Sequence, residues 1–270
     1  MHKFFPILFF AVSLLSFTYS SRSAFPSGIG EGDSTTIASA SLRSSIRRNF
    51  ETSVVNLYKS MDLKLYGLSE KVFRMGLIGY YNLRIAGELN GKNLVTIIDF
   101  TKPSTDKRFY VLDLDQERLI YHSYVAHGRN TGGNIANSFS NKVNSNQSSL
   151  GFYVTGETYF GSKGYSLRLH GQDAGYNSNI FRRAVVIHAA NYVSESWIQK
   201  YGRLGRSFGC PALPADISRE VINTIRNRTA IFAYYSDRDY LETSRHLNTD
   251  QLIDALAKGA DLDISGQAAE

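Results

Sequence analysis

Cys210 is the only cysteine in the chain, and it lies in a glycine-rich stretch, Gly202-Arg-Leu-Gly-Arg-Ser-Phe-Gly-Cys-Pro-Ala-Leu-Pro214. A thiol is a poor nucleophile until it loses its proton, and an adjacent imidazole can take that proton. His188 is the candidate base, because it ends the apolar run Val185-Val-Ile-His188. A strand end would fix the imidazole, while a Gly-bounded turn would leave the sulfur accessible. Gly209 would let the backbone approach a reacting carbonyl, whose developing oxyanion nearby N–H groups could hold. Pro211 removes one N–H and stiffens the turn. The competing reading is a buried, inert cysteine, which is common among free cysteines.

The elements that must position these groups are strand-rich. The chain has 270 residues, enough for one substantial domain with an appendage or for two small domains. Its 17 Tyr and 16 Phe point to a strand-rich body and exclude a disordered one. Strands are expected over 94–100, 108–113 and 118–125, with a turn at Asp115-Gln-Glu117. Phe109 and Val111 should face one side, Tyr110 and Leu112 the other. A long polar loop spans 128–149, and a loop of that length in a compact domain is functional or disordered. A hairpin over 151–169 turns at Gly161-Ser-Lys-Gly164. A short buried strand spans 184–187, a helix is expected over 214–227 and a closing strand over 230–234.

Upstream, Leu42 to Leu57 has helical spacing, and a second helix should begin after Ser69 as N-cap. Gly76 and Gly79 lie inside that second helix. The resulting organisation is a signal peptide over 1–24, a Gly/Ser/Thr-rich linker over 25–36, a helical appendage over 37–90 and a catalytic domain over 91–240. A polar tail over 241–270 holds a short amphipathic helix near 249–258. The fold class is mostly β (α+β), a β-sandwich or barrel behind N-terminal helices.

The N-terminus carries Lys3 and an apolar run from Phe4 to Phe17, followed by small residues. That run is too short to span a bilayer and suits an export signal. A lone thiol in an oxidising compartment can form no internal disulfide, so its presence asks for a chemical reason. The net charge of +6 carries no Lys/Arg block, which gives nucleic-acid binding no support. A modestly basic surface suits an acidic polymer or serves solubility alone. The six His and one Cys are scattered without zinc-type spacing, so no metal is expected.

His precedes Cys here, whereas papain-like peptidases place Cys first. Ser207-Phe-Gly-Cys210 resembles the Ser-x-Gly-Cys motif of the YkuD-type L,D-transpeptidase fold. Arg183-Ala-Val-Val-Ile-His-Ala-Ala-Asn-Tyr-Val-Ser194, Val125-Ala-His-Gly128, Ser138-Phe-Ser-Asn-Lys142 and Ser149-Leu-Gly-Phe-Tyr-Val-Thr-Gly-Glu-Thr158 are similar to segments of the murein L,D-transpeptidase catalytic domain family, in matching order over about residues 90–235. The resemblance implies a β-rich fold and a two-step, cofactor-free reaction on peptidoglycan stem peptides. Cys210 would be the nucleophile, His188 the base, Ser207 an orienting group and Gly209 the residue that shapes the turn. The chain departs from the common pattern at Ala189, where Gly is usual. It departs again at Pro211-Ala212, where an apolar residue and Arg are usual. Arg206 is then the candidate for gripping a substrate carboxylate, with Tyr192 expected along the cleft and His127 either along it as well or a satisfied structural histidine. His170, which also precedes Gly, is the rival base. A sortase-like thiol acyl-transferase and an inactive wall-binding protein that keeps the fold are the alternative functions.

Overall fold

The computed structural model describes residues 32–260. The expected signal peptide, the first part of the linker and the last ten residues lie outside the described residues. Helix α1 spans Gly32–Ser60. It corrects the linker expectation, since the stretch over 25–36 is already helical from Gly32. Extending a formed helix fixes one residue at a time at little cost, and no proline stands here to stop it. Helix α2 spans Glu70–Ile85, and the Ser69 side chain caps it by accepting the Val72 N–H at 3.3 Å.

Eight strands follow: β1 Leu94–Asp99, β2 Phe109–Asp113, β3 Arg118–Ser123, β4 Gly151–Gly161, β5 Gly164–Gly171, β6 Val186–Ala189, β7 Ala212–Leu213 and β8 Ala230–Tyr234. Helix α3 (Glu195–Tyr201) lies between β6 and β7, and α4 (Ser218–Ile225) between β7 and β8. Helices α5 (Arg238–Thr243) and α6 (Thr249–Ala257) close the described chain.

The strands form one sheet in the order β3-β2-β1-β8-β4-β5-β6-β7. The chain leaving β3 then bridges to β7, with the Ala126 N–H donating to the Ala212 carbonyl at 2.9 Å. The two sheet edges therefore meet, and the sheet rolls into a nearly closed barrel. The last strand is not peripheral: β8 lies at the centre, parallel to β1 and antiparallel to β4. Its sequence Ala-Ile-Phe-Ala-Tyr is buried along its whole length, as a strand covered on both faces requires.

The expected alternation in β2 is borne out. Phe109 and Val111 join the barrel interior with Ile98, Tyr153, Leu167, Ile187 and Ile231. Tyr110 and Leu112 join the outer core, where α1, α2 and α6 pack over the sheet. Glycine inside α2 has a packing reason. A Cβ on Gly79 would lie 1.9 Å from Cζ of Phe152, whose ring stacks on Phe232 at 4.3 Å. Helix α4 is shorter than expected. Its start is delayed by a turn over 215–217, and its end is forced by left-handed backbone at Asn227 and Arg228.

Candidate active site

Strand β6 carries the candidate base and receives the candidate nucleophile. It is entered through a tight bend in which the Ala184 N–H donates to Phe181 and the Val185 N–H to Ile180. Ala184 pays for that bend with a φ of +53°, a region L-residues rarely occupy. The bend aims the Val186 N–H at Cys210, whose Sγ accepts it at 3.5 Å. Two residues further along the same strand stands His188, buried at the register of Ala212 on β7.

The turn that carries Cys210 is clamped from within. Ser207 Oγ donates to the Cys210 carbonyl at 2.6 Å and accepts the Gly209 N–H at 3.0 Å. Gly209 has a φ of +120°, and a Cβ there would lie 2.7 Å from the Gln147 carbonyl oxygen. Both facts demand glycine. The clamp occupies the Gly209 N–H, which is therefore not among the N–H groups left for an oxyanion.

The turn is tied to the long polar loop. The Ser207 N–H donates to the His127 carbonyl at 3.0 Å, and the Arg129 N–H donates to the Ser207 carbonyl at 2.8 Å. Ser148 Oγ accepts the Gly128 N–H at 3.0 Å and donates to the Gly209 carbonyl at 3.3 Å. The loop over 128–149 is thus ordered. Thr131, Ser148 and Ser149 are buried within it.

The electrostatics leave both candidate groups neutral near pH 7. Close packing around the half-buried Cys210 raises its thiol pKa, against the lowering influence of the Val186 N–H, Arg183 and Lys163. Burial lowers the His188 pKa, partly opposed by its bond to the Ala189 carbonyl, and Lys163 lowers it further. His188 Nδ1 lies 2.8 Å from the Ala189 carbonyl oxygen, which can only accept. Nδ1 therefore carries the proton in the neutral ring and Nε2 is the basic nitrogen. No hydrogen bond joins His188 to Cys210 among the described residues.

The other candidates fall in different places. Arg206 is exposed at the rim, and its Nη1 donates to the carbonyls of Arg129 and Gly132, each at 3.0 Å. Of the two readings of His127, the structure has the buried one: it is 1% exposed and lines no open cleft. Its Nδ1 faces Arg108 Nη2 at 2.7 Å and its Nε2 faces the Gly133 carbonyl at 3.1 Å. Tyr192 is half-buried over Gly205, and burial raises its phenol pKa to about 12, with Cys210 adding to the rise. The rival His170 is exposed on β5 and stacks on Phe181 at 5.4 Å.

Two arginines around the site are not legible from the sequence as functional. Arg108 is sealed inside, donating to the carbonyls of Lys102 and Val125. Arg183 sits beside the Gly209–Cys210 peptide and binds the loop over 138–149. The one usable signal was an arginine standing at the start of each of two apolar strand runs. Nothing in the sequence singles out Phe208 either. It precedes Gly209, is 60% exposed and lies under the Arg129 guanidinium at 4.8 Å. Among the described residues, no group of three or more His, Cys, Asp or Glu side chains could hold a metal. No described helix is long and apolar enough to cross a membrane.

The family described as L,D-transpeptidase catalytic domain matches residues 64–234, from just before α2 to the end of β8. No curated protein matches the chain. Solved structures similar to it include an L,D-transpeptidase from Mycobacterium smegmatis, 11% identical, covering 54% of this chain and 60% of that one, with a TM-score of 0.33. L,D-transpeptidase 3 from Mycobacterium tuberculosis is 11% identical, covering 54% and 62%, with a TM-score of 0.34. An L,D-transpeptidase from Xylanimonas cellulosilytica is 12% identical, covering 54% and 62%, with a TM-score of 0.30. The chain spans about three fifths of the length of each of these structures.

Proposed function

The chain belongs to the L,D-transpeptidase catalytic domain family, and from that premise we propose that it is an exported acyl-transferase that acts on peptidoglycan stem peptides through Cys210. The observation that carries this reading is one strand serving both groups. The Val186 N–H docks the thiol of the chain's only cysteine, and His188 stands two residues along with Nε2 free to act as base.

The reaction follows from those groups. His188 Nε2 takes the proton from Cys210 Sγ as the sulfur attacks the carbonyl of the third stem residue. The bond from that carbonyl to the nitrogen of terminal D-Ala breaks, and imidazolium returns the proton to the departing amine. A thioester remains on Cys210. An amine on a second stem then attacks, giving its proton to His188, and the thiol re-forms as the new amide is released. Water in place of that amine gives a free carboxylate, so transpeptidation and hydrolysis share the first half. The Cys210 N–H, which no protein acceptor takes among the described residues, is the donor best suited to the tetrahedral oxyanion.

Ser207 and Gly209 serve this chemistry by holding the turn. Arg206 meets the stem-peptide carboxylate with the N–H groups its loop contacts leave over, and Tyr192 flanks the thiol. Purified disaccharide-tetrapeptides incubated with wild type and with Cys210→Ala test the reading by product mass. Wild type should release D-Ala and form a thioester adduct, and the variant should do neither. Release that persists in Cys210→Ala, or a wild type that releases nothing, overturns it. Acylation by a protein sorting peptide alone would select a sortase-like enzyme. Wall binding without thiol reactivity would select an inactive binding protein.

A further inference from the structure

We propose that Arg183 is a positioning residue for the nucleophile: it straps the polar loop over 138–149 against the Gly209–Cys210 peptide and keeps a fixed positive charge beside the thiol. This rests on the reading of Cys210 as nucleophile.

The geometry is that of a strut. Nη1 donates to the Ser140 carbonyl at 2.7 Å and to Ser149 Oγ at 2.6 Å. Nη2 donates to the Gln147 carbonyl at 2.6 Å and to Ser145 Oγ at 3.1 Å. Four acceptors spread over ten residues of loop converge on one guanidinium, a planar fork that lysine cannot reproduce. Both terminal nitrogens are fully used, so Arg183 is held in place and not free to grip a ligand. The same Nη2 lies 3.3 Å from where a Cβ on Gly209 would stand. Its anchor is equally fixed, because Arg183 occupies the bend that leads into β6 and its N–H donates to Asn179 at 2.8 Å.

A second observation concerns charge. The groups whose fields act on the thiol are Arg183 from the bend and Lys163 from the β4–β5 turn, and both favour thiolate. The neighbouring Tyr192 is a neutral phenol, and buried His188 is neutral at rest. Among the described residues, no carboxylate acts on the thiol to cancel these cations. Lys163 sits on an exposed turn where solvent screens it, whereas Arg183 is half-buried and fixed. Arg183 is therefore the cation that most offsets the cost of forming a thiolate in a packed site.

The pH profile of Cys210 alkylation by iodoacetamide, read by mass on the full chain, tests this without any wall substrate. Arg183→Gln should move the midpoint upward by about 0.5–1 unit and speed limited proteolysis of the loop over 138–149 several-fold. Arg183→Lys should keep the midpoint near wild type while the loop is still cleaved faster. Ser145→Asp leaves Arg183 in place but neutralises it, and should raise the midpoint even if Arg183→Gln does not fold. A folded Arg183→Gln or Ser145→Asp with the wild-type midpoint overturns the charge role. Unchanged loop cleavage in Arg183→Lys overturns the strap. Failure of the muropeptide assay with these shifts present sinks the proposed function and leaves Arg183's hold on the thiol intact. The reverse outcome removes Arg183 alone.

Discussion

Arg108 Nη2 lies 2.7 Å from His127 Nδ1, and neither side chain reaches solvent. A guanidinium can only donate, so His127 Nδ1 accepts and Nε2–H points at the Gly133 carbonyl. The imidazole is locked neutral, its pKa lowered to about 4 by burial first and by the Arg108 charge second. The pair sits under the polar loop, and the His127 carbonyl holds the Ser207 N–H. Acid should therefore loosen the Cys210 turn from below.

That relationship predicts an acid limb in stability. Unfolded histidine titrates near 6.5, so between about pH 6.5 and 4 the unfolded chain holds more protons at this site. The contribution is complete above pH 6.5 and lost as pH falls through 4, a difference of about 3 kcal/mol. His127→Gln keeps an acceptor for Arg108 and a donor for Gly133 but does not titrate. Its loss of stability in urea melts between pH 7 and pH 4.5 should be smaller than wild type's. Equal losses would remove His127 as the source.

The reaction's pH dependence follows from a neutral thiol and a neutral imidazole. As the proposed base, His188 must be unprotonated, and burial lowers its pKa. Acylation should fall on the acid side with a midpoint below the ordinary imidazole value of about 6.5. Burial raises the Cys210 pKa, so simple alkylation should grow on the alkaline side, above the ordinary thiol range. Fast alkylation persisting at pH 5 would mean a preformed thiolate–imidazolium pair and contradict this arrangement.

Ser207→Ala removes one hydroxyl that serves two backbone groups of the nucleophile's turn. The buried Gly209 N–H loses its acceptor, which costs roughly 1–3 kcal/mol. The turn then holds Cys210 less accurately, and a misplacement of about 1 Å costs on the order of 10²-fold in rate. Acylation rates and melting temperatures should both fall. An acylation rate within twofold of wild type would show that the turn needs no clamp.

The frame was legible because its signals are local. Period-two alternation in Phe109–Leu112, the Ser69 cap and the Gly161–Gly164 turn each lie within a few residues of the structure they specify. The strand that carries His188 was legible for the same reason, since its apolar run is local. Arg183 and Arg108 were not, since their partners are distant in sequence and lie in stretches with no periodicity. The sequence leaves His127 open between cleft and interior, because His-Gly at a strand end looks the same whether the ring turns outward or into a polar interior. The central position of β8 likewise depends on pairing with β1, far upstream.

Gly79 offers a stability test in which propensity and packing oppose each other. Alanine at an exposed helix position would gain about 1 kcal/mol over glycine. At Gly79 the added methyl would enter the Phe152 ring, which is trapped against Phe232 and cannot swing away. Overpacking of that kind costs about 1–3 kcal/mol and pushes α2 off the sheet. Gly79→Ala should therefore lower the melting temperature. Pairing it with Phe152→Leu should recover part of the loss, because the two changes share one space. A Gly79→Ala variant more stable than wild type would show that helix propensity governs this position and that the close approach of α2 is dispensable.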